Sequence, residues 1–160
     1  MGVLALRVAS APTVDTVRAM TDIDFKAFNA GVVEEFRANH GTTTGMFAQA
    51  PLVLVTTTGA KSGKAITVPL VHTTDGDDVV IIASKGGAPS HPDWFHNIKA
   101  NPAVTVELPG DVTFEATAVI TEGDERRRLF DAQAEQMPNF KEYEQATDRE
   151  IPVVRLVRNT

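Results

Sequence analysis

The sequence contains no cysteine. That excludes disulfides, thiolate metal sites, iron–sulfur clusters and cysteine nucleophiles together, and it fits a reducing, cytoplasmic setting. Long apolar runs are also missing, since no stretch approaches the roughly 18 residues that span a bilayer. The short apolar start, Val3 to Leu6, has no basic region ahead of it, so no secretory signal is expected. Aromatic hydroxyls and indoles are scarce, with one tyrosine, Tyr143, and one tryptophan, Trp94. There is no nucleophile elbow, no HExxH and no GxGxxG, which leaves serine-hydrolase, zinc-protease and Rossmann dinucleotide chemistry without a foothold. Positive charge is outnumbered, 15 Lys and Arg against 21 Asp and Glu, for a net charge of −6. Such a surface repels nucleic acid, and any anionic ligand needs a local basic patch.

What is present suffices for an ordinary folded domain. The chain has 160 residues, 42% hydrophobic and 22% charged, enough to bury a core without staples. Residues 1–20 are expected to form a disordered arm, with peripheral membrane contact as one role for it, leaving 21–160 as a single domain. A helix is expected over 22–39, with Phe25, Phe28, Val32 and Phe36 on one face and Gly41 ending it. The period then shifts to two. Strands are expected over 52–58, 66–74, 79–84, 104–108, 112–120 and 152–157, and further helices over 93–100, 122–136 and 139–146. Tight turns rather than helices join most of the strands. The expected architecture is mainly β within the α+β class: a barrel of about six mostly antiparallel strands, an N-terminal helix and peripheral C-terminal helices.

Two turns combine lysine with glycine. Gly59-Ala60-Lys61-Ser62-Gly63-Lys64 can curl so that backbone N–H groups converge on an anion, with two ammonium groups and a hydroxyl beside them. Alone, it is also what a solvated hairpin turn looks like. Ser84-Lys85-Gly86-Gly87 follows an apolar strand, where paired glycines allow close approach of a flat or phosphorylated ligand. One anion bridged by both turns would explain basic residues gathered in an acidic chain. His91 and His96 are five apart, which misses the helical spacing of a metal pair, and His40 and His72 are distant, so no metal is expected. The pairs Glu34-Glu35 and Asp77-Asp78 read as solvated. An enzyme of this composition would rely on an external cofactor for the difficult step.

The motifs TTTGAKSG, ASKGGAP and HPDWFHNIKANP, in that order, resemble the deazaflavin-dependent nitroreductase family of actinobacteria, as does the later run ending TDREIP. The resemblance covers roughly residues 24–157. It implies a split β-barrel that binds coenzyme F420, an 8-hydroxy-5-deazaflavin carrying a phosphate and a polyglutamate tail, and that passes hydride to quinones, nitroaromatics or other activated acceptors. Carried over by position, Lys61, Ser62 and Gly63 hold the phosphate with Lys64 nearby, and Pro69 lies along the ring. Ala83, Ser84, Lys85, Gly86 and Gly87 line the groove, with Trp94 and Asn97 supporting it. The resemblance also implies that the N-terminal helix covers the acceptor side; for such a reaction Ser84 or Tyr143 is expected to donate the proton or to hydrogen-bond the developing oxyanion, with water as the alternative. The chain departs from the family at Ala60, where members often carry Arg, at Val71, where an aromatic is common, and over 137–143, which keeps only one of several tyrosines. Two alternatives stay open: an FMN-dependent oxidoreductase on the same barrel, and a non-catalytic carrier of a deazaflavin, quinone or lipid. Monomer and homodimer are both compatible with the sequence.

Overall fold

The structure, a computed structural model, describes residues 13–14, 22–48 and 50–160. Apart from Thr13 and Val14, the expectation for the N-terminal arm lies outside the described residues, as does the side chain of Phe25. Six strands, β1 (Leu52–Thr58), β2 (Ala65–Asp75), β3 (Asp78–Ile82), β4 (Ala103–Leu108), β5 (Val112–Ile120) and β6 (Val153–Arg158), close into a barrel. Their order is β1-β2-β3-β6-β5-β4, and every pairing is antiparallel. Among the described residues four complete helices surround it: α1 (Asp22–Ala38), α2 (Asp93–Ala100), α3 (Gly123–Gln136) and α4 (Asn139–Gln145). No helix among the described residues is long and apolar enough to cross a membrane.

The period-two pattern sorts side chains between two environments. Val53, Val55, Val79, Ile81, Val104, Val106, Val154 and Leu156 fill the barrel, and α2 adds Trp94, Phe95 and Ile98 to the same core. The opposite parity faces outward under the helices. Val80, Ile82 and Val153 pack beneath Leu129, Phe130, Phe140 and Tyr143 of α3 and α4, while Leu52 and Leu54 pack beneath Val32 and Phe36 of α1. β1 is therefore buried on both faces, which is why its first four residues are uniformly apolar rather than alternating. Burying one such side chain contributes about 1.5–3 kcal/mol.

The end of α1 is seated on the β4–β5 turn. Gly41 has φ of +102°, and a Cβ there would lie 2.4 Å from the Cα of Pro109. The Gly110 N–H donates to His40 O at 2.8 Å. Two carboxylate pairs expected to be solvated are only partly so. Glu35 accepts the Thr44 N–H at 2.8 Å and its hydroxyl at 2.6 Å, which lowers the Glu35 pKa. Asp78 pairs with Arg155 at 2.9 Å. Both partners are many residues away, so neither contact leaves a local signature in the sequence.

β2 is the strand that shapes the site. It pairs with β1 over residues 65–71 but with β3 only over 72–75. The barrel is joined at one end of β2 and parted at the other. His72 donates its N–H to Pro51 O, so the even-numbered residues of β2 address β1, and 65, 67, 69 and 71 turn their backbone groups to the parted side. Pro69 has no N–H to present there.

Candidate functional site

The 59–64 turn joins β1 to β2 at the parted end. Its backbone is closed by the Gly59 N–H to Lys64 O at 2.8 Å and the Gly63 N–H to Gly59 O at 2.9 Å. Gly63, at φ of +71°, makes the reversal. Ser62 works inside the turn, where its Oγ accepts the Lys64 N–H at 3.2 Å. Lys61 and Lys64 are exposed, and neither has an ion-pair partner among the described residues.

Asn97 anchors this turn to α2. It is 6% exposed; its Oδ1 accepts the Ala60 N–H at 2.9 Å and its Nδ2 donates to Thr57 Oγ1 at 3.1 Å. The amide is spent on the scaffold, in keeping with a supporting position. Trp94 is likewise a core residue that reaches the barrel interior from α2.

β3 runs antiparallel to β2, so the chain leaving Ile82 heads for the same end as the 59–64 turn, on the far side of the parted edge. Ala83 is the last residue to point into the barrel core, and its N–H donates to Pro152 O. The chain then turns through three successive left-handed residues, Lys85 at φ of +47°, Gly86 at +62° and Gly87 at +85°. For lysine that conformation costs roughly 1–2 kcal/mol. Gly87 is demanded by packing, because a Cβ would lie 2.9 Å from the Ala146 Cβ and 3.1 Å from the Tyr143 Cα. Ser84 is 6% exposed, and its hydroxyl has no hydrogen-bond partner among the described residues.

Tyr143 stands behind this turn. It is 2% exposed, its ring lies 5.0 Å from Phe140, and its hydroxyl bonds the Asn139 side chain. Burial pushes the phenol pKa well up. The residue faces Gly87 with its backbone, while its hydroxyl is held within α4.

Sequence reasoning passed over Arg149. Its Nε donates to Ala88 O at 2.9 Å, its Nη2 to Ser84 O at 2.8 Å, and its Nη1 to Ala83 O at 3.2 Å and to His91 Nδ1 at 2.9 Å. Burial lowers its pKa. His91 is also held low, first by its own burial and then by the charges of Arg149, His96 and Lys99, which keeps Nδ1 free to accept. Arg149 lies in the TDREIP run, but its partners are mostly carbonyls some 60 residues earlier, and no side-chain pattern announces those.

Arg37, Arg126, Arg127, Arg128 and Arg155 each sit beside a carboxylate. Eight cations have no such partner among the described residues: Lys26, Lys99, Lys141 and Arg158 lie on other elements, whereas Lys61, Lys64 and Lys85 gather at the parted end of β2, with Arg149 bonded to the backbone on either side of Lys85. In a chain of net charge −6, this is the local basic patch an anionic ligand requires. No cluster of three or more His, Asp or Glu suited to a metal occurs among the described residues.

Comparison with known proteins gives these features a context. Residues 30–158 match the sequence profile described as F420H(2)-dependent quinone reductase. An F420H(2)-dependent quinone reductase of Mycobacterium tuberculosis is 41% identical over 111 residues, which is 68% of this chain and 74% of that protein. A solved structure of an F420-H2 dependent reductase is 46% identical, with a TM-score of 0.61 over 66% of this chain and 93% of its own. Another, described as a domain-swapped dimer, is 42% identical, with a TM-score of 0.63 over 79% of this chain and 96% of its own. At 14% identity and a TM-score of 0.51, a Listeria innocua structure described by pyridoxamine 5'-phosphate oxidase, covered for 86% of its length by 70% of this chain, shares the fold alone.

Proposed function

The chain belongs to the F420H(2)-dependent quinone reductase family, and from that premise we propose that it reduces a small quinone, with its cofactor held along the parted edge of β2. It is an oxidoreductase with a split β-barrel and uses coenzyme F420. The observation that carries the placement is the gathering of Lys61, Lys64 and Lys85 at that edge, with no carboxylate partner among the described residues. These residues fit the group. Lys61, Lys64 and Lys85 offer ammonium groups to a phosphate, and within the 59–64 turn, whose reversal Gly63 makes, the Lys61 and Ser62 N–H groups and the Ser62 hydroxyl are the donors left for it. Of the residues expected along a flat ring, Gly86 is half-buried, whereas Pro69, Ala83 and Gly87 are buried, Ala83 in the barrel core and Gly87 against α4.

When bound, the deazaflavin supplies a hydride, and a quinone that takes it needs one further proton at oxygen to become the quinol. The chain must then orient the acceptor and hold a hydrogen-bond donor at that oxygen. Ser84 suits this role, since its hydroxyl has no hydrogen-bond partner among the described residues and its carbonyl is fixed by Arg149. Tyr143 suits it less, with its phenol at 2% exposure and engaged by Asn139; its role is to back Gly87. The acceptor would lie over the outer face of β2, where half-buried Val71 touches both the α1 cluster and the α3–α4 cluster. Half-buried Phe28 and Val33 add an apolar rim, which suits a quinone ring better than a charged substrate.

Titrating the protein with coenzyme F420 while following Trp94 fluorescence, with FMN in parallel, tests the cofactor. Saturable binding of F420 with little response to FMN is expected; equal or stronger FMN binding would turn the reading to a flavin enzyme. Quinone-dependent oxidation of reduced F420 then separates catalysis from carriage, since a carrier binds without turnover.

A further inference from the structure

We infer that Arg149 is the positioning residue of the Lys85–Gly87 turn, fixing from behind the backbone that presents Lys85 to an anion at the parted edge of β2. The inference rests on the proposed cofactor placement. Every hydrogen bond of the guanidinium goes to one short segment: the carbonyls of Ala83 and Ser84 before the turn, the carbonyl of Ala88 after it, and the ring of His91 beyond. The planar fork clasps both ends of the turn at once, which a lysine ammonium cannot do.

The turn needs such a clasp. Lys85 sits at φ of +47°, a conformation that persists in a non-glycine residue only where the surroundings over-determine it. Two surroundings do so here. Gly87 is pressed against Tyr143 and Ala146, and Arg149 binds the carbonyls on both sides of the turn. Without the second, Lys85 can relax to right-handed backbone and swing its ammonium group out of register with Lys61 and Lys64. The charge of Arg149 adds to the effect, because no carboxylate among the described residues offsets it and a half-buried cation is poorly screened.

Arg149→Met and Arg149→Lys, measured beside the native protein, decide the matter. Two readouts are taken: the dissociation constant for coenzyme F420, and amide exchange of Gly87 and Ala88 in the ligand-free protein, with Val80 and Ile81 as internal controls. Arg149→Met is expected to weaken F420 binding about tenfold and to accelerate exchange at Gly87 and Ala88 without changing Val80 and Ile81. Arg149→Lys, which keeps the charge but not the fork, is expected to fall between, and it decides the question if the methionine variant does not fold. A folded variant with lower Tm but native F420 affinity and native exchange at Gly87 and Ala88 would make Arg149 merely structural and overturn the inference. If the native protein itself binds no F420, the functional reading fails, while exchange at Gly87 and Ala88 still supports or refutes the clasp.

Discussion

The two ends of β2 hold their charges in opposite ways. At the Asp75 end, Arg155 reaches Asp75 at 2.7 Å, Asp78 at 2.9 Å and Glu125 at 3.1 Å, and Arg128 adds a second contact to Asp75 at 3.2 Å. Hydrogen bonds from Arg128 and Arg155 hold the Asp75 carboxyl down at about 2. Asp75, Asp78, Glu125, Arg128 and Arg155 answer one another there, and the strands are paired. At the Ala65 end the strands part, and Lys61, Lys64, Lys85 and Arg149 are left without carboxylates. A closed network spends its electrostatic energy within the fold, whereas the open one leaves it for a ligand.

The sharpest way to break this contrast is to remove cations singly. Lys61→Ala or Lys85→Ala should weaken F420 binding by tens of fold, the equivalent of about 1.5–3 kcal/mol for a charge-assisted contact. Arg155→Met should change the F420 dissociation constant less than twofold while lowering Tm by about 3 °C. If both ends affect binding equally, the division has no functional content.

Asn97→Ala should show that the open end is pre-built. It strands the Ala60 N–H and the Thr57 hydroxyl, and should destabilise the fold by about 1–3 kcal/mol in denaturant titration. A variant of native stability would mean that the 59–64 turn needs no anchor. Acid should act on the other end. Asp75 has a folded pKa below its unfolded value, so its stabilisation is complete above about pH 4 and lost as pH falls toward 2. Thermal melts of the native protein and Asp75→Asn should therefore differ at pH 6 and converge near pH 2. The smallest effect belongs to Tyr143→Phe, expected to keep quinone turnover within twofold in steady-state assays. A large fall would return the phenol to the chemistry.

The elements were legible because their signals are local. The apolar run of β1, the Asp-Gly reversal after β2 and the glycine after α1 each announce themselves within a few residues. β2 runs from Ala65 to Asp75, one residue beyond the expected strand at each end. β3 stops at Ile82 rather than at Ser84: the Ala83 N–H still reaches Pro152 O on the β6 side, but the Ala83 and Ser84 carbonyls are taken by Arg149, and the Ser84 carbonyl also accepts the Gly87 N–H. The lysine–glycine turns were legible as a possible anion site, but their relation across one strand edge was not, since it depends on where β3 leaves β2. Gly87 illustrates the limit. Its place in a glycine pair suggests ligand approach, yet the contact that requires it is with α4. Arg149 was hidden for the same reason: backbone acceptors carry no sequence label.

The parting of β2 from β3 also exposes a strand edge, and a bare edge is a template on which a second chain can add a strand. Pro69 falls in the middle of that edge and withholds one of the N–H groups an incoming strand would need. The lysines at its Ala65 end add positive charge beside any second copy approaching there. The residues proposed to receive a small anion would thus also oppose strand addition along that edge, and neutralising them is expected to be felt as association before it is felt as unfolding.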